Sequence, residues 1–186
     1  MSATKRGTAR RQADFYETPA KAVETLLRVH YLRGPILEPC AGSGAIAKAI
    51  RQYYDHRPKL DITAVEIREE ERAALEPLAR VHIADFLHWQ PDRQYGTIIT
   101  NPPFSLAEQV IERALQIAGP RTEIVLLLRL AFLESQRRQA LWQRWTLRRI
   151  YVLSQRPSFT GAGTDATAYG WFLFQRGHKT RNIQVI

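Results

Sequence analysis

The order of apolar and polar segments predicts an α/β fold, with strands and helices alternating around a mostly parallel, doubly wound sheet. Three features carry that expectation. Short apolar runs alternate with amphipathic stretches along the chain and close with two consecutive strands. The first strand opens straight into Gly42-Ser43-Gly44 and a helix, a turn whose backbone lies open to a ligand. The run Thr97-Ile98-Ile99-Thr100 stops at Asn101-Pro102-Pro103-Phe104, because the two prolines lack an N–H, hold φ fixed and push Asn101 out of the helical region. With 186 residues and 45% apolar content the chain can bury one core, so we read one domain over 13–178, between a basic arm at 1–12 and a basic tail at 179–186.

Taken in order, Thr18 and Pro19 mark a helix start, a hydroxyl to cap free N–H groups and a proline where its missing N–H does no harm. That helix is expected over 18–33, with Ala22, Val23, Leu26, Leu27 and His30 near one face and Gly34 ending it. A strand at 35–39 leads through the glycine loop to a helix that ends near Tyr54. Residues 61–67 read as a second strand, 68–78 as a charged helix and 81–86 as a third strand. After the strand at 97–100 comes an amphipathic helix, 106–118, stopped by Gly119-Pro120. The strand at 123–129 holds Ile124-Val125-Leu126-Leu127-Leu128, a run suited to burial on both faces. A helix at 134–145, a strand at 149–153, a loop at 156–163 and a strand at 168–174 finish the pattern.

The net charge of +9 is concentrated at the ends. Residues 1–12 carry four basic groups and no acid, 13–130 carry 14 against 16 acids, and 131–186 carry nine against two. Two cationic ends folded onto one face make the footprint of a polyanion binder, so nucleic acid is the expected partner, and the arm is expected to order on a phosphate backbone. A single cysteine, Cys40, excludes a disulfide framework and the usual zinc patterns. None of His30, His56, His82, His88 and His178 stands at ligand spacing, so no metal site is expected. No apolar run serves as a signal peptide or approaches the roughly 20 residues of a membrane span, which points to a soluble, cytoplasmic protein without a membrane partner.

The residues also suggest chemistry. The Asn101 side-chain carbonyl and the Pro102 backbone carbonyl are two acceptors on a rigid shelf beside the Phe104 ring, a set that suits a planar group bearing an NH2. At the end of the first strand Glu38 would repel a pyrophosphate and welcome an ammonium, which favours S-adenosylmethionine over a dinucleotide. Glu66 ends the second strand where a doubly wound sheet puts the carboxylate for a ribose diol. Asp85 could accept from the exocyclic amine of the cofactor's adenine, with Phe86 on the ring.

Together these motifs resemble class I S-adenosylmethionine-dependent methyltransferases, specifically the amino-methyltransferases that modify N6 of adenine in DNA. The likeness covers residues 13–176. Asn101-Pro102-Pro103-Phe104 is similar to the family's catalytic Asp/Asn/Ser-Pro-Pro-aromatic motif, and 38–44 to its glycine loop. Tyr16-Glu17-Thr18-Pro19 resembles its Tyr-x-Thr-Pro entry, and Arg156-Pro157-Ser158-Phe159 the late loop whose aromatic covers the target base. The resemblance implies a Rossmann-like fold with a seven-stranded, mostly parallel sheet, an antiparallel last strand and helices on both faces. It implies S-adenosylmethionine as cofactor, S-adenosylhomocysteine as product, and catalysis by Asn101, Pro102, Pro103 and Phe104. The cofactor would touch Tyr16, Thr18, Pro19, Glu38, Cys40, Ala41, Gly42, Gly44, Glu66, Ile67, Asp85 and Phe86. Phe159 would meet the target base, of DNA ahead of RNA. Apart from the resemblance, the basic carboxyl third offers Arg137, Arg138, Arg144, Arg148, Arg149 and Arg156, with the arm Lys5 to Arg11, as phosphate contacts that position nucleic acid. The family's separate target-recognition domain has no counterpart here, so the likeness is to the compact orphan enzymes of phages and mobile elements, with a short or relaxed target sequence.

Cys40 itself reads as a small packing residue and not a nucleophile, Trp142 and Trp145 as core or subunit contacts, and Trp171 as sheet core. Two other readings stay open. One is methylation of RNA adenine or of a protein glutamine amide, which also presents a planar NH2; the other is a catalytically silent nucleic-acid-binding module on the same fold.

Overall fold

Two short strands, β1 (Ile36–Pro39) and β4 (Thr97–Thr100), lie parallel and side by side inside the sheet. From β1 the chain winds outward through β2 (Ile62–Glu66) to β3 (Arg80–Ile83), then crosses back, so that β4 and β5 (Glu123–Arg129) extend the other side. Next come β7 (Tyr169–Phe174), antiparallel to both neighbours, then β6 (Leu147–Val152) and β8 (Asn182–Val185). The full order is β3-β2-β1-β4-β5-β7-β6-β8. This computed structural model describes residues 16–55, 60–159, 166–177 and 182–186. The arm at 1–12, His56, His178 and the loop at 160–163 lie outside the described residues.

The reversal of winding between β1 and β4 creates the crevice at the carboxyl ends of the strands where open α/β sheets place ligands. Thr100 ties the two strands together there, its hydroxyl donating to the Pro39 carbonyl. Both chain segments that leave this crevice are ones the sequence marks: the glycine loop after β1, and Asn101-Pro102-Pro103-Phe104 after β4.

Helices α1 (Ala20–Leu27) and α2 (Ala45–Tyr53) cover one face, and α4 (Ala107–Ile117) and α5 (Gln136–Arg144) the other, while the one-turn α3 (Arg72–Leu75) precedes β3. Period-two alternation explains how β5 serves both layers. Val125 and Leu127 join the core under α1 and α2, whereas Ile124, Leu126 and Leu128 join the core under α4 and α5. Trp171 is fully buried, and its Nε1 donates to the Ala22 carbonyl at 3.0 Å, so the ring enters the core without an orphaned donor. Trp142 and Trp145 meet edge-to-face at 5.3 Å and pack on Phe132 and Phe174, which makes them core aromatics.

Four local expectations differ from the structure. The first helix ends at Leu27, because Val29 and His30 both donate to the Leu26 carbonyl and close it with a tight turn. Thr18 does not cap it; α1 has no side-chain cap, and Thr18 is buried elsewhere. The charged segment after β2 makes only a 3-10 turn, Glu69–Glu71, and α3, since Leu75 is its one buried side chain and a longer helix would have no apolar face to pack. Residues 182–185, set apart as tail, form β8 parallel to β6, so the sheet has eight strands where seven were expected and its last strand in the chain is parallel to its neighbour: four residues give too short a pattern to read, and the partner strand supplies the ladder.

Candidate active site

A cavity of about 160 Å3 occupies the crevice between the carboxyl ends of β1, β2, β3 and β4. Its walls contain most of the residues expected to hold a cofactor: Tyr16, Thr18, Glu38, Cys40, Ala41, Gly42, Glu66, Ile67, Asp85 and Phe86. Asn101 and Pro103 close it on the β4 side. Two expected members lie off it. Gly44 serves the backbone instead: its φ of 82° is the left-handed conformation that opens α2, and a Cβ there would meet Leu75 and Leu78 at 2.9 Å. Pro19 lies in a neighbouring hollow shared with Ser158 and Phe159.

Glu66 is the organising carboxylate. It is 4% exposed; Oε2 accepts the Gly42 N–H at 2.7 Å, and Oε1 accepts from the Arg68 backbone N–H at 3.1 Å and from Arg68 Nε at 2.9 Å. One side chain thus fixes the glycine loop and the turn after β2, and a carboxylate offers about four acceptor positions, so another donor can still be received. Arg68 could not be foreseen, because it opened a segment that read as an exposed charged helix.

Glu38 is 2% exposed, and its Oε2 accepts the Ala47 N–H of the first turn of α2 at 2.9 Å. Burial pushes its carboxyl up to about 8, the Ala47 bond opposing and the Glu66 charge adding to the rise. Cys40 sits in the left-handed region, φ 54°, and burial pushes its thiol up to about 12, with the Glu66, Asp85 and Glu38 charges in the same direction. A thiol so disfavoured as thiolate is a packing group, as the sequence suggests. Asp85 lies beyond the end of β3, where Oδ1 accepts the Leu87 N–H at 2.9 Å, so it caps a turn while lining the cavity.

On the β4 shelf, Asn101 is held by its amide: Nδ2 donates to the Tyr16 carbonyl at 3.2 Å. Its Oδ1 is buried and has no hydrogen-bond partner among the described residues. A buried unsatisfied acceptor costs about 1–3 kcal/mol and calls for an explanation. Phe104 joins a group of rings: Tyr16 at 5.8 Å and Tyr169 at 6.1 Å, with Phe159 at 4.9 Å from Tyr169 and 6.2 Å from Tyr16. The structure therefore brings Phe104 and Phe159 into one cluster. Sequence reasoning missed Arg129, which ends β5 with its guanidinium carbon 4.2 Å from the Phe104 ring centre and Nε 3.1 Å from the Tyr169 hydroxyl.

The expected phosphate contacts fare differently. Arg137 and Arg138 both bind Glu108 of α4, at 2.7 and 2.9 Å, and hold its carboxyl below the usual range. Arg144 pairs with Glu112, and Arg148, near the start of β6, pairs with Glu123 at the opposite end of the sheet. These arginines lace helix to helix or strand to strand, a use that a basic run does not reveal. Arg156 is exposed.

Residues 20–119, more than half of the sequence, match the model of the methyltransferase small domain. The chain belongs to that family. The matched segment contains the glycine loop, Glu66, Asp85 and the Asn101-Pro102-Pro103-Phe104 shelf, and leaves Arg129 and Phe159 outside. A tRNA1(Val) (adenine(37)-N6)-methyltransferase of Klebsiella pneumoniae is 40% identical over 80 residues, 37% of this chain and 32% of the relative. The chain thus spans about a third of that relative's length. Among solved structures, a proposed RNA methyltransferase of Pyrococcus horikoshii superposes with a TM-score of 0.68 at 14% identity, covering 91% of each chain. A type I restriction-modification methyltransferase subunit of Streptococcus thermophilus gives 0.67 at 14% identity, over 91% of this chain and 46% of the other. At such identities the likeness shows the fold, that of class I methyltransferases, as the small-domain family requires.

Proposed function

We propose that this protein methylates the exocyclic N6 amine of adenine in nucleic acid, with S-adenosylmethionine as donor and S-adenosylhomocysteine as product. The observation that carries the reading is Asn101, a shelf amide anchored through Nδ2 whose Oδ1 is buried and has no hydrogen-bond partner among the described residues. The adenine amine has two hydrogens to give. Asn101 Oδ1 takes one and the Pro102 carbonyl the other, while Phe104 lies on the ring face. The amine's lone pair is delocalised into the ring; acceptors that bind its hydrogens more strongly as positive charge develops lower the barrier itself.

The cavity has the chemistry that the donor needs. Glu66 suits a ribose diol, Asp85 and Phe86 an adenine, and the buried Glu38 an ammonium, around a backbone loop without bulky side chains at Gly42. When bound, S-adenosylmethionine supplies an electrophilic methyl on a sulfonium. The N6–carbon bond forms as the sulfur–carbon bond breaks, and the amine then releases a proton to solvent. A target inside a duplex must first leave the stack, with Phe104 and Phe159 as replacement partners.

The polymer we propose is DNA, on the likeness of the shelf motif to DNA amino-methyltransferases, with a short or relaxed target sequence. The tRNA-acting relative supports RNA as a second reading. Incubation with labelled S-adenosylmethionine and matched DNA, RNA and protein pools, followed by nucleoside and amino-acid analysis, tests both. N6-methyladenine in the DNA pool is expected. Label confined to RNA transfers the proposal to that polymer, and label on glutamine or in no pool overturns it. Sequencing of the methylated sites then tests specificity, a strict motif of about six or more bases counting against relaxed reading.

A further inference from the structure

Four of the arginines that sequence alone offered as phosphate contacts are occupied by carboxylates: Arg137 and Arg138 by Glu108, Arg144 by Glu112, Arg148 by Glu123. Arg129 is different. It stands at the carboxyl end of β5, on the strand next to β4, so it leaves the sheet on the same side as Asn101 and Phe104. Its guanidinium carbon lies 4.2 Å from the centre of the Phe104 ring, and Nε donates to the Tyr169 hydroxyl at 3.1 Å. Tyr169 is fully buried, and its ring packs 4.9 Å from Phe159 and 6.1 Å from Phe104. One guanidinium therefore touches the shelf aromatic directly and reaches the late-loop aromatic through a single buried tyrosine.

This placement has two consequences. Held by a ring and by a hydroxyl, the guanidinium has little rotamer freedom left to lose when it meets an anion. Of its five N–H donors only the one on Nε is engaged; Nη1 and Nη2 have no hydrogen-bond or ion-pair partner among the described residues, and the residue is exposed. A planar fork with four free donors is the geometry that takes a phosphate oxygen pair.

We propose that Arg129 is a nucleic-acid-binding residue that grips a backbone phosphate flanking the target nucleotide while its stacking on Phe104 sets where the base comes to rest. The inference rests on the reading of Phe104 as the ring under the target base. A base on that ring carries its own phosphates one sugar away, within the neighbourhood of a side chain that covers the same ring. The residue belongs to the part of the chain outside the family match, so it assigns a substrate contact to the carboxyl third.

The test uses the full chain and labelled adenine-containing oligonucleotides, single-stranded and duplex, of DNA and of RNA. Binding is measured against salt without cofactor, so its outcome does not depend on catalysis. Arg129→Gln is expected to weaken binding about tenfold or more. It should also make the log–log salt slope shallower by about 0.9 on duplex DNA, or about 0.7 on single strands, the loss of one neutralised phosphate. Arg129→Lys keeps the charge and should recover the slope, while Arg129→Met, which keeps apolar contact with the ring, should not. In steady state the Gln variant's loss should fall on KM more than on kcat. An unchanged slope in Arg129→Gln, a Lys variant that fails to recover it, or a native protein that binds none of these probes overturns the proposal. A native protein that binds with the expected slope but leaves no N6-methyladenine overturns the functional reading instead.

Discussion

Replacing Glu38 with Gln isolates the group whose ionisation the fold disturbs most within the cavity. Burial moves the carboxyl from 4.5 to about 8. The folded chain therefore holds a proton that the unfolded chain has released, and the stability linked to Glu38 is complete below about pH 4.5 and is lost as pH rises through about 8. At about 1.4 kcal/mol per pH unit the interval corresponds to roughly 5 kcal/mol, and water entering the cavity reduces this to on the order of 2–5 kcal/mol. Gln keeps an oxygen for the Ala47 N–H and removes the titration. Urea unfolding followed between about pH 5 and pH 8.5 should show the native protein losing stability toward the alkaline side relative to the variant, with Glu38→Gln the more stable above about pH 8. Parallel pH profiles would refute the assignment. The same group reports on the ligand. An ammonium placed beside Glu38 restores the carboxylate, so S-adenosylmethionine binding near pH 7 should release up to about one proton, read by calorimetry in buffers of different ionisation enthalpy. Equal proton release from native protein and Glu38→Gln would show that the ammonium sits elsewhere.

Asn101→Ala should keep cofactor affinity and lower single-turnover methyl transfer by about 100-fold or more, whereas a near-native rate would remove Asn101 from catalysis. Glu66→Gln should weaken S-adenosylmethionine binding about tenfold in titration calorimetry, the loss of one charge-assisted hydrogen bond, and unchanged affinity would reject the ribose assignment. Gly96→Ala should destabilise the fold by about 1–3 kcal/mol in urea melts, because a Cβ there would stand 2.7 Å from the Arg33 and Gly34 carbonyl oxygens and neither is a movable side chain. Cys40 should resist iodoacetamide near pH 8 in the folded protein and react once urea unfolds it; rapid native alkylation would contradict its charge-opposed setting, in which the thiolate is disfavoured.

What could be read in advance was whatever depends on neighbours along the chain. The strand-glycine-helix order, the two prolines after Thr100 and the unbroken apolar run at 124–128 each act through local sterics or burial, and each appears in the structure as expected. The positions that escaped notice depend on partners far away in sequence. Arg129 looks like the end of an apolar strand until β5 lies beside β4, and Arg137 and Arg138 look like a basic patch until α4 brings up Glu108.

By itself the sequence determined the α/β class and the crevice-forming turns, since backbone restriction by proline and glycine and the order of apolar segments are properties of short stretches; the residues expected around the cofactor came from the motif resemblance, and most of them line the cavity. The tertiary structure alone decided which charges are free. Whether an arginine meets phosphate or a glutamate, whether Glu38 is ionised, and whether Asn101 Oδ1 has a partner all follow from packing between distant elements, because Coulomb energies and desolvation depend on separation and burial in space and not on spacing along the chain.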